Sequence, residues 1–386
     1  MSDLTVEQIF GRIIGFDTTS ARSNLALVDF ICEFLEPHAS SIIRDRSDDG
    51  EKMNLLVRIG PDPDESRSGL VLSGHMDTVP ALEPGWESDP FHLRETDDCW
   101  FARGTSDMKG FLALAIDLAA GLSGETLHSP LDLLFTYDEE VGTIGAKHWV
   151  DHRSDVVLPR AAIIGEPTEL RIVSMHKGHL KLRITVRGVS AHSGYPHLGV
   201  NAIERAGSII TALSDLRIEL QSHRSEDSDR FEPVPWVPLN IGEIRGGTAI
   251  NIVPDLVEIS LGVRMLPGMD GDELLNRIRE RVDSATRDPA AVEVSLISES
   301  PPMKLDESAE VLGVLAKLTD ETETRAVSFA SDAGWFQTLD LDCVLYGPGS
   351  IEVAHKPNEY IEKDQFYRAK ETIARIARAF CIEARS

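Results

Sequence analysis

Acids and histidines fall repeatedly where short apolar runs end. Leu70 to Ser73 leads into Gly74-His75-Met76-Asp77, and Leu131 to Tyr137 leads into Asp138-Glu139-Glu140. Ala161 to Ile164 leads into Gly165-Glu166-Pro167, and Cys343 to Tyr346 into a Gly-Pro-Gly turn and then His355. Asp107, in RGTSDMKG, stands just before an apolar helical stretch. Taken singly, each has an ordinary explanation. Asp107 is a helix cap, the Glu139-Glu140 pair a solvated strand end, and His75 or His355 a hydrogen-bonded loop residue. Together, two histidines and three carboxylates at strand ends match a two-metal site with one bridging carboxylate, an arrangement suited to hydrolysis. Nitrogen and oxygen ligands without thiolates favour zinc, with cobalt or manganese as substitutes. Asp77, two residues after His75, can accept the imidazole proton on the side facing away from a metal. In an extended doublet, neighbours face opposite ways, so one of Glu139 and Glu140 can bind metal while the other serves as general base.

The elements that must deliver these groups can be read from hydrophobic patterning. Thr5 to Phe16, Ala26 to Leu35, Phe111 to Leu122 and Asp364 to Ala379 read as helices, and Asn54 to Ile59 as a further strand. Continuous apolar strands alternating with helices predict an α/β catalytic domain whose mostly parallel sheet is flanked by helices. Ligands of such sheets gather outside the carboxyl ends of the strands. The middle of the chain alternates instead: His179 to Arg187, a helix Val200 to Leu213, strands Val237 to Ile244 and Leu256 to Met265, a helix Asp272 to Val282, and a strand Ala291 to Ile297. That β-α-β-β-α-β order predicts a ferredoxin-like α+β domain. The expected division is 1–177 with 299–386 for the catalytic domain and 178–298 for the insert, with a long loop at Gln221 to Pro238.

Composition narrows the function. The chain has 386 residues, 42% of them hydrophobic, as a globular protein with a sizeable core requires. Its 38 basic and 64 acidic residues leave a formal charge of −26, which repels nucleic acid and anionic membranes. Cys32, Cys99, Cys343 and Cys381 have no C-x-x-C spacing, so free thiols in a reducing cytoplasm are expected. The first residues are acidic and amphipathic, unlike a secretory leader, and no apolar run is long enough to span a bilayer.

The segments SGHMDTVP (Ser73 to Pro80), RGTSDMKG (Arg103 to Gly110), DEEVGTIGA (Asp138 to Ala146), IIGEPT (Ile163 to Thr168), GVSAHSGYPHLGVNAI (Gly188 to Ile203) and GPGSIEVAHKPNEY (Gly347 to Tyr360) carry a resemblance. In this order they resemble the co-catalytic dizinc metallopeptidase family that includes acetylornithine deacetylase, succinyl-diaminopimelate desuccinylase, carboxypeptidase G and the aminoacylases. The resemblance implies two Zn2+ per subunit: His75 and Glu166 on one, Glu140 and His355 on the other, and Asp107 bridging. It implies Asp77 as the group orienting His75 and Glu139 as general base. It also implies that His192 reaches the partner subunit's active site, that Asn251 and Arg264 contact substrate, and that the insert carries the interface of a homodimer. Within the family, HKGH (His176 to His179), GPGSIEVAHKPNEY and the closing helix look most like acetylornithine deacetylases, implying hydrolysis of Nα-acetyl-L-ornithine in arginine biosynthesis. Ser331 to Phe336 looks more like the desuccinylase and aminoacylase pattern, so another N-acyl amino acid stands as the alternative substrate.

Two further readings stay open. One is a catalytically silent dimeric binding protein, which would have no need of the whole ligand set. The other is phosphoester hydrolysis, against which stand the charge and the lack of a phosphate-cradling glycine loop. Neither H-E-x-x-H nor G-x-S-x-G occurs. His92, His128, His148, His152, His197 and His223 read as ordinary surface histidines.

Overall fold

A computed structural model describes residues 4–122 and 124–383. The chain divides into two compact units. The first takes in the chain up to Met175, Lys304–Arg325 and the stretch from Ser331 onward; the second takes in His176–Met303 and Ala326–Ala330.

The first unit is built on a large sheet. Its centre is four parallel strands in the order Leu131–Thr136, Leu70–His75, Ala161–Ile164 and Asp342–Leu345. Every residue of the first three is buried, because both faces are covered. The sheet is mixed, where the sequence pattern predicts a mostly parallel one. Ser41–Arg46 and Met53–Ile59 pair antiparallel through a short turn, and Met53–Ile59 runs antiparallel to Leu131–Thr136. A tight turn between consecutive strands permits no other direction. Ser41–Arg46 goes unseen in the sequence because, as an edge strand, it buries only Asp45 fully.

Helices Val6–Ile14, Leu25–Leu35, Gly110–Gly121 and Lys363–Ala377 share one apolar core with Leu70, Leu72, Leu133, Phe135 and Ile163 of the sheet. Thr5 starts the first helix in a capping box. Its hydroxyl accepts from the Gln8 amide, and the Gln8 side chain accepts from the Thr5 amide at 2.9 Å. Gly165 allows helix Gly110–Gly121 to lie against the end of Ala161–Ile164, since a Cβ there would come within 2.0 Å of the Phe111 ring.

The second unit has a four-stranded antiparallel sheet in the order Leu239–Gly246, Leu256–Met265, Gly178–Arg187, Val292–Ser300. Helices Ala202–Ser222 and Gly271–Ser284 pack on it, so the elements run β-α-β-β-α-β along the chain. Strand Gly178–Arg187 alternates buried Leu180, Leu182, Ile184 and Val186 with more polar neighbours, as a sheet covered on one face does. The chain leaves the large sheet on strand Val173–His176 and returns on its neighbour Met303–Lys304. The Leu305 amide donates to the Ser174 carbonyl at 2.9 Å. No helix among the described residues is long and apolar enough to cross a membrane.

Candidate active site

Three of the parallel strands, ending side by side, bring His75, Glu166 and the Asp138-Glu139-Glu140 loop to one edge. His75 and Asp107 are buried, and so are Asp77 and Glu166. His75 Nε2 lies 2.9 Å from Asp107 Oδ1, while His355 Nε2 lies 3.3 Å from Asp107 Oδ2. The two oxygens of one carboxylate thus face two different imidazoles. His355 Nε2 also lies 3.0 Å from Glu140 Oε2. Ligand atoms of His75, Asp107 and Glu166 fall within 4.8 Å of one another, as do those of Asp107, Glu140 and His355.

The supporting shell is equally specific. His75 Nδ1 lies 3.0 Å from the Asp77 carbonyl oxygen and 3.5 Å from its carboxylate, which settles the far side of the ring. The Asp77 carboxylate also accepts from the Glu139 amide at 3.0 Å, the Glu140 amide at 3.3 Å and the Ser20 hydroxyl at 2.7 Å. Asp138 stands in the left-handed region at φ 52°, and His355 at φ 63°, conformations that cost free energy outside glycine. Lys52 holds Asp138 in place, donating to its carboxylate at 2.6 Å.

Asp107 is not the helix cap that its position suggests. Helix Gly110–Gly121 has Lys109 at its N-cap without a side-chain cap bond, and Asp107 has φ −123° and ψ 93°. Its segment is held instead by Glu359, whose Oε1 accepts from the Ser106 amide at 2.9 Å and the Asp107 amide at 3.2 Å. Arg103 donates to Glu359 Oε2 at 2.8 Å, with both side chains buried. Sequence reasoning missed Glu359. Its place in the PNEY segment after His355 was the available signal.

Asp332 was missed as a site residue as well. It is buried, accepts from the Thr136 hydroxyl at 2.5 Å, and leaves its Oδ1 without a partner. Burial pushes Asp332 up to about 6. Burial raises Glu139 and Glu166 well above the carboxylate range, and neighbouring carboxylates add to it against the pull of His75. Burial and then Asp107 push Glu140 up to about 7. His355 is lifted to about 10 by Asp107 and Glu140. Burial alone would lower His75, but Asp107 and Asp77 carry it well above its ordinary value. Six interacting carboxylates around two imidazoles, with one buried oxygen orphaned, are short of positive charge. Divalent cations would supply it, and an all-nitrogen and oxygen donor set fits zinc.

His192, Asn251 and Arg264 belong to the second unit. Ala191–His192 pairs with Ile252–Val253, so exposed His192 and Asn251 share one small ribbon, the Ser193 amide donating to the Asn251 carbonyl at 3.0 Å. The Gly194 amide donates to His192 Nδ1 at 3.0 Å. Arg264 stands opposite His179 in the sheet register.

Residues 71–379 match the model of peptidase family M20/M25/M40. The chain belongs to this family. Acetylornithine deacetylase of Pectobacterium carotovorum is 38% identical over 86% of this chain and 84% of its own. That of Myxococcus xanthus is 35% identical over 96% of both chains. Among solved structures, an M20 family metallo-carboxypeptidase from Sulfolobus solfataricus superposes with a TM-score of 0.78 at 17% identity, covering 98% of this chain and 99% of that one. Membership in M20 fixes the reaction class as hydrolysis, and the cluster around Asp107 lies within the matched residues.

Proposed function

We propose that this M20 chain hydrolyses the amide of Nα-acetyl-L-ornithine, giving L-ornithine and acetate. The observation that carries the reading is Asp107, whose two oxygens face His75 and His355, with Glu166 and Glu140 beside them. The acetylornithine deacetylases aligned along nearly the whole chain supply the substrate. His75 and Glu166 would hold one zinc, Glu140 and His355 the other, and Asp107 both. When bound, such a pair supplies Lewis acidity toward the carbonyl and lowers the pKa of water.

Glu139 takes the proton of the attacking water as its oxygen bonds to the amide carbon. The C–N bond then breaks, and Glu139 returns the proton to the departing amine. Asp77 keeps His75 in one tautomer and fixes the Glu139 and Glu140 amides, so base and ligand stay in register. His192 of the partner subunit donates to the developing oxyanion. Arg264 holds the substrate carboxylate, for which a guanidinium fork is suited, and Asn251 contacts the substrate. A homodimer through the second unit is supported by its edge strand Leu239–Gly246, largely exposed with Ile244 outward, and by exposed Ile203, Ile250 and Ile252. Cys32, Cys99, Cys343 and Cys381 are all free, which suits the cytoplasm.

Asp332 favours a second reading. It lies in the Ser331 to Phe336 segment, buried with one carboxylate oxygen unpartnered, so a different N-acyl amino acid would be selected there while the chemistry stays. Turnover of Nα-acetyl-L-ornithine beside acetyl-methionine, acetyl-citrulline and succinyl-diaminopimelate tests the assignment. Preference for acetylornithine is expected. Preference for another member moves specificity to that segment. Failure on all four with metals bound would replace hydrolysis with the silent binding reading.

A further inference from the structure

The first unit holds a second group of metal-ligand side chains that shares no residue with the Asp107 cluster. His148 and His152 stand four apart on helix Ile144–His152, so they occupy one face. Their rings stack with centroids 4.1 Å apart. His152 Nδ1 lies 2.9 Å from the His148 carbonyl oxygen, a contact that a protonated Nδ1 makes, which in the neutral ring leaves the lone pair on Nε2. That is the tautomer of a metal-bound histidine with its other nitrogen anchored to backbone. His148 is mostly covered, its ring 6.0 Å from Tyr137 and its Nε2 3.6 Å from Asp45. Asp45 is already engaged by the Arg153 side chain at 2.8 Å and the Asn54 amide at 3.1 Å, which makes it an outer partner.

The third ligand comes from elsewhere in the chain. Asp48 sits in the turn between strands Ser41–Arg46 and Met53–Ile59 with its side chain exposed. One ligand atom each of Asp48, His148 and His152 lies within 4.8 Å of the others. Tetrahedral zinc with bonds of about 2.0–2.1 Å places its ligands about 3.4 Å apart. Asp48 is exposed, so its side chain can swing toward that spacing while the His152 ring keeps its backbone contact. Two imidazoles with one carboxylate suit a borderline cation with water in the fourth position, whereas magnesium and calcium take oxygen ligands.

We infer that Asp48, His148 and His152 form an additional surface site for a zinc-class divalent cation. It would clip the Asp48 turn to the helix that follows the Glu139-Glu140 loop. The same turn region already reaches that loop through Lys52 and Asp138. The site therefore ties the turn to the helix without touching the catalytic residues.

The test uses tag-free, metal-loaded full-length protein, stripped of loosely held ions and titrated with zinc chloride. Bound zinc per chain is counted, and the thermal midpoint is read at each step. Wild type should bind one equivalent more than His152→Asn or Asp48→Asn, with affinity for that equivalent falling tenfold or more, about what even outer partners of a metal control. The zinc-dependent rise of the midpoint should vanish in both variants while turnover stays level. His152 is exposed, so its replacement leaves the core intact. Equal zinc equivalents and an equal midpoint rise in wild type and His152→Asn would overturn the site. A loss in His152→Asn but not in Asp48→Asn would overturn the three-ligand assignment.

Discussion

Glu359 offers a test of how the Asp107 segment is built. Its two oxygens do different work: Oε1 accepts from the Ser106 and Asp107 amides, and Oε2 accepts from Arg103. Glu359→Gln can keep the first oxygen while setting an NH2 group against the guanidinium. Arg103, 1% exposed, retains the Pro80 carbonyl at 3.2 Å, the Lys356 carbonyl at 3.3 Å and Glu83 at 3.3 Å. Breaking a buried pair costs about 3–5 kcal/mol, and the surviving partners place this one near about 3 kcal/mol. Glu359→Ala also strands two backbone donors at about 1–3 kcal/mol each, so its loss should exceed about 5 kcal/mol. Urea unfolding followed by tryptophan emission measures both, since Trp86, Trp100, Trp149 and Trp335 lie in the first unit. Zinc affinity should fall about 10–100-fold in Glu359→Ala and less in Glu359→Gln, because only the former frees the Asp107 amide. A Glu359→Gln protein within about 1 kcal/mol of wild type would refute the division of labour between the two oxygens.

Three other outcomes are expected. Glu139→Ala should retain its metals and lose about 10²–10⁴ in kcat, the span of a general base; undiminished turnover would remove Glu139 from the mechanism. Burial holds His176 down to about 4 and His179 to about 3, so the unfolded chain binds protons near pH 6.5 that the folded second unit refuses. Their contribution is intact above pH 6.5 and declines as pH falls toward 4, by about 1.4 kcal/mol per pH unit for each histidine; His179→Gln should flatten the urea midpoint against pH, and an unchanged slope would contradict this. Chelation should abolish turnover and lower the thermal midpoint of the first unit, with zinc or cobalt restoring both; full activity after exhaustive metal removal would contradict the assigned ligands.

The sequence located the catalytic strands because continuous apolar runs ending in acids signal both burial and chemistry. Leu131–Thr136 and Ala161–Ile164 announce themselves in this way. Val173–His176 and Ser41–Arg46 do not, one being short and the other polar at an edge. The helix Val200 to Leu213 was placed but foreshortened: it runs from Ala202 to Ser222, since polar residues beyond Leu213 continue the turn while Leu216 and Leu220 keep the buried stripe. His75, Asp107, Glu166, His355 and the Glu139-Glu140 pair stood out because so many ligand types recur where apolar runs end, but the choice of Glu140 as ligand rested on the family resemblance. Glu359 and Asp332 did not stand out, because an acid that binds backbone amides or a threonine looks like any other acid until the chain is folded. Asp107 shows the converse, since a helix-cap reading suited its neighbours and the backbone there is extended.

The departure on Val173–His176 and return on Met303–Lys304 have a genealogical consequence. From the standpoint of the large sheet, the segment between those two strands, which makes up nearly all of the second unit, is one loop whose ends lie side by side. Loop closure grows only slowly with loop length, so lengthening, trimming or exchanging that segment leaves the strand pairing almost untouched. A lineage could therefore trade one such cassette for another while inheriting the Asp107 centre unchanged.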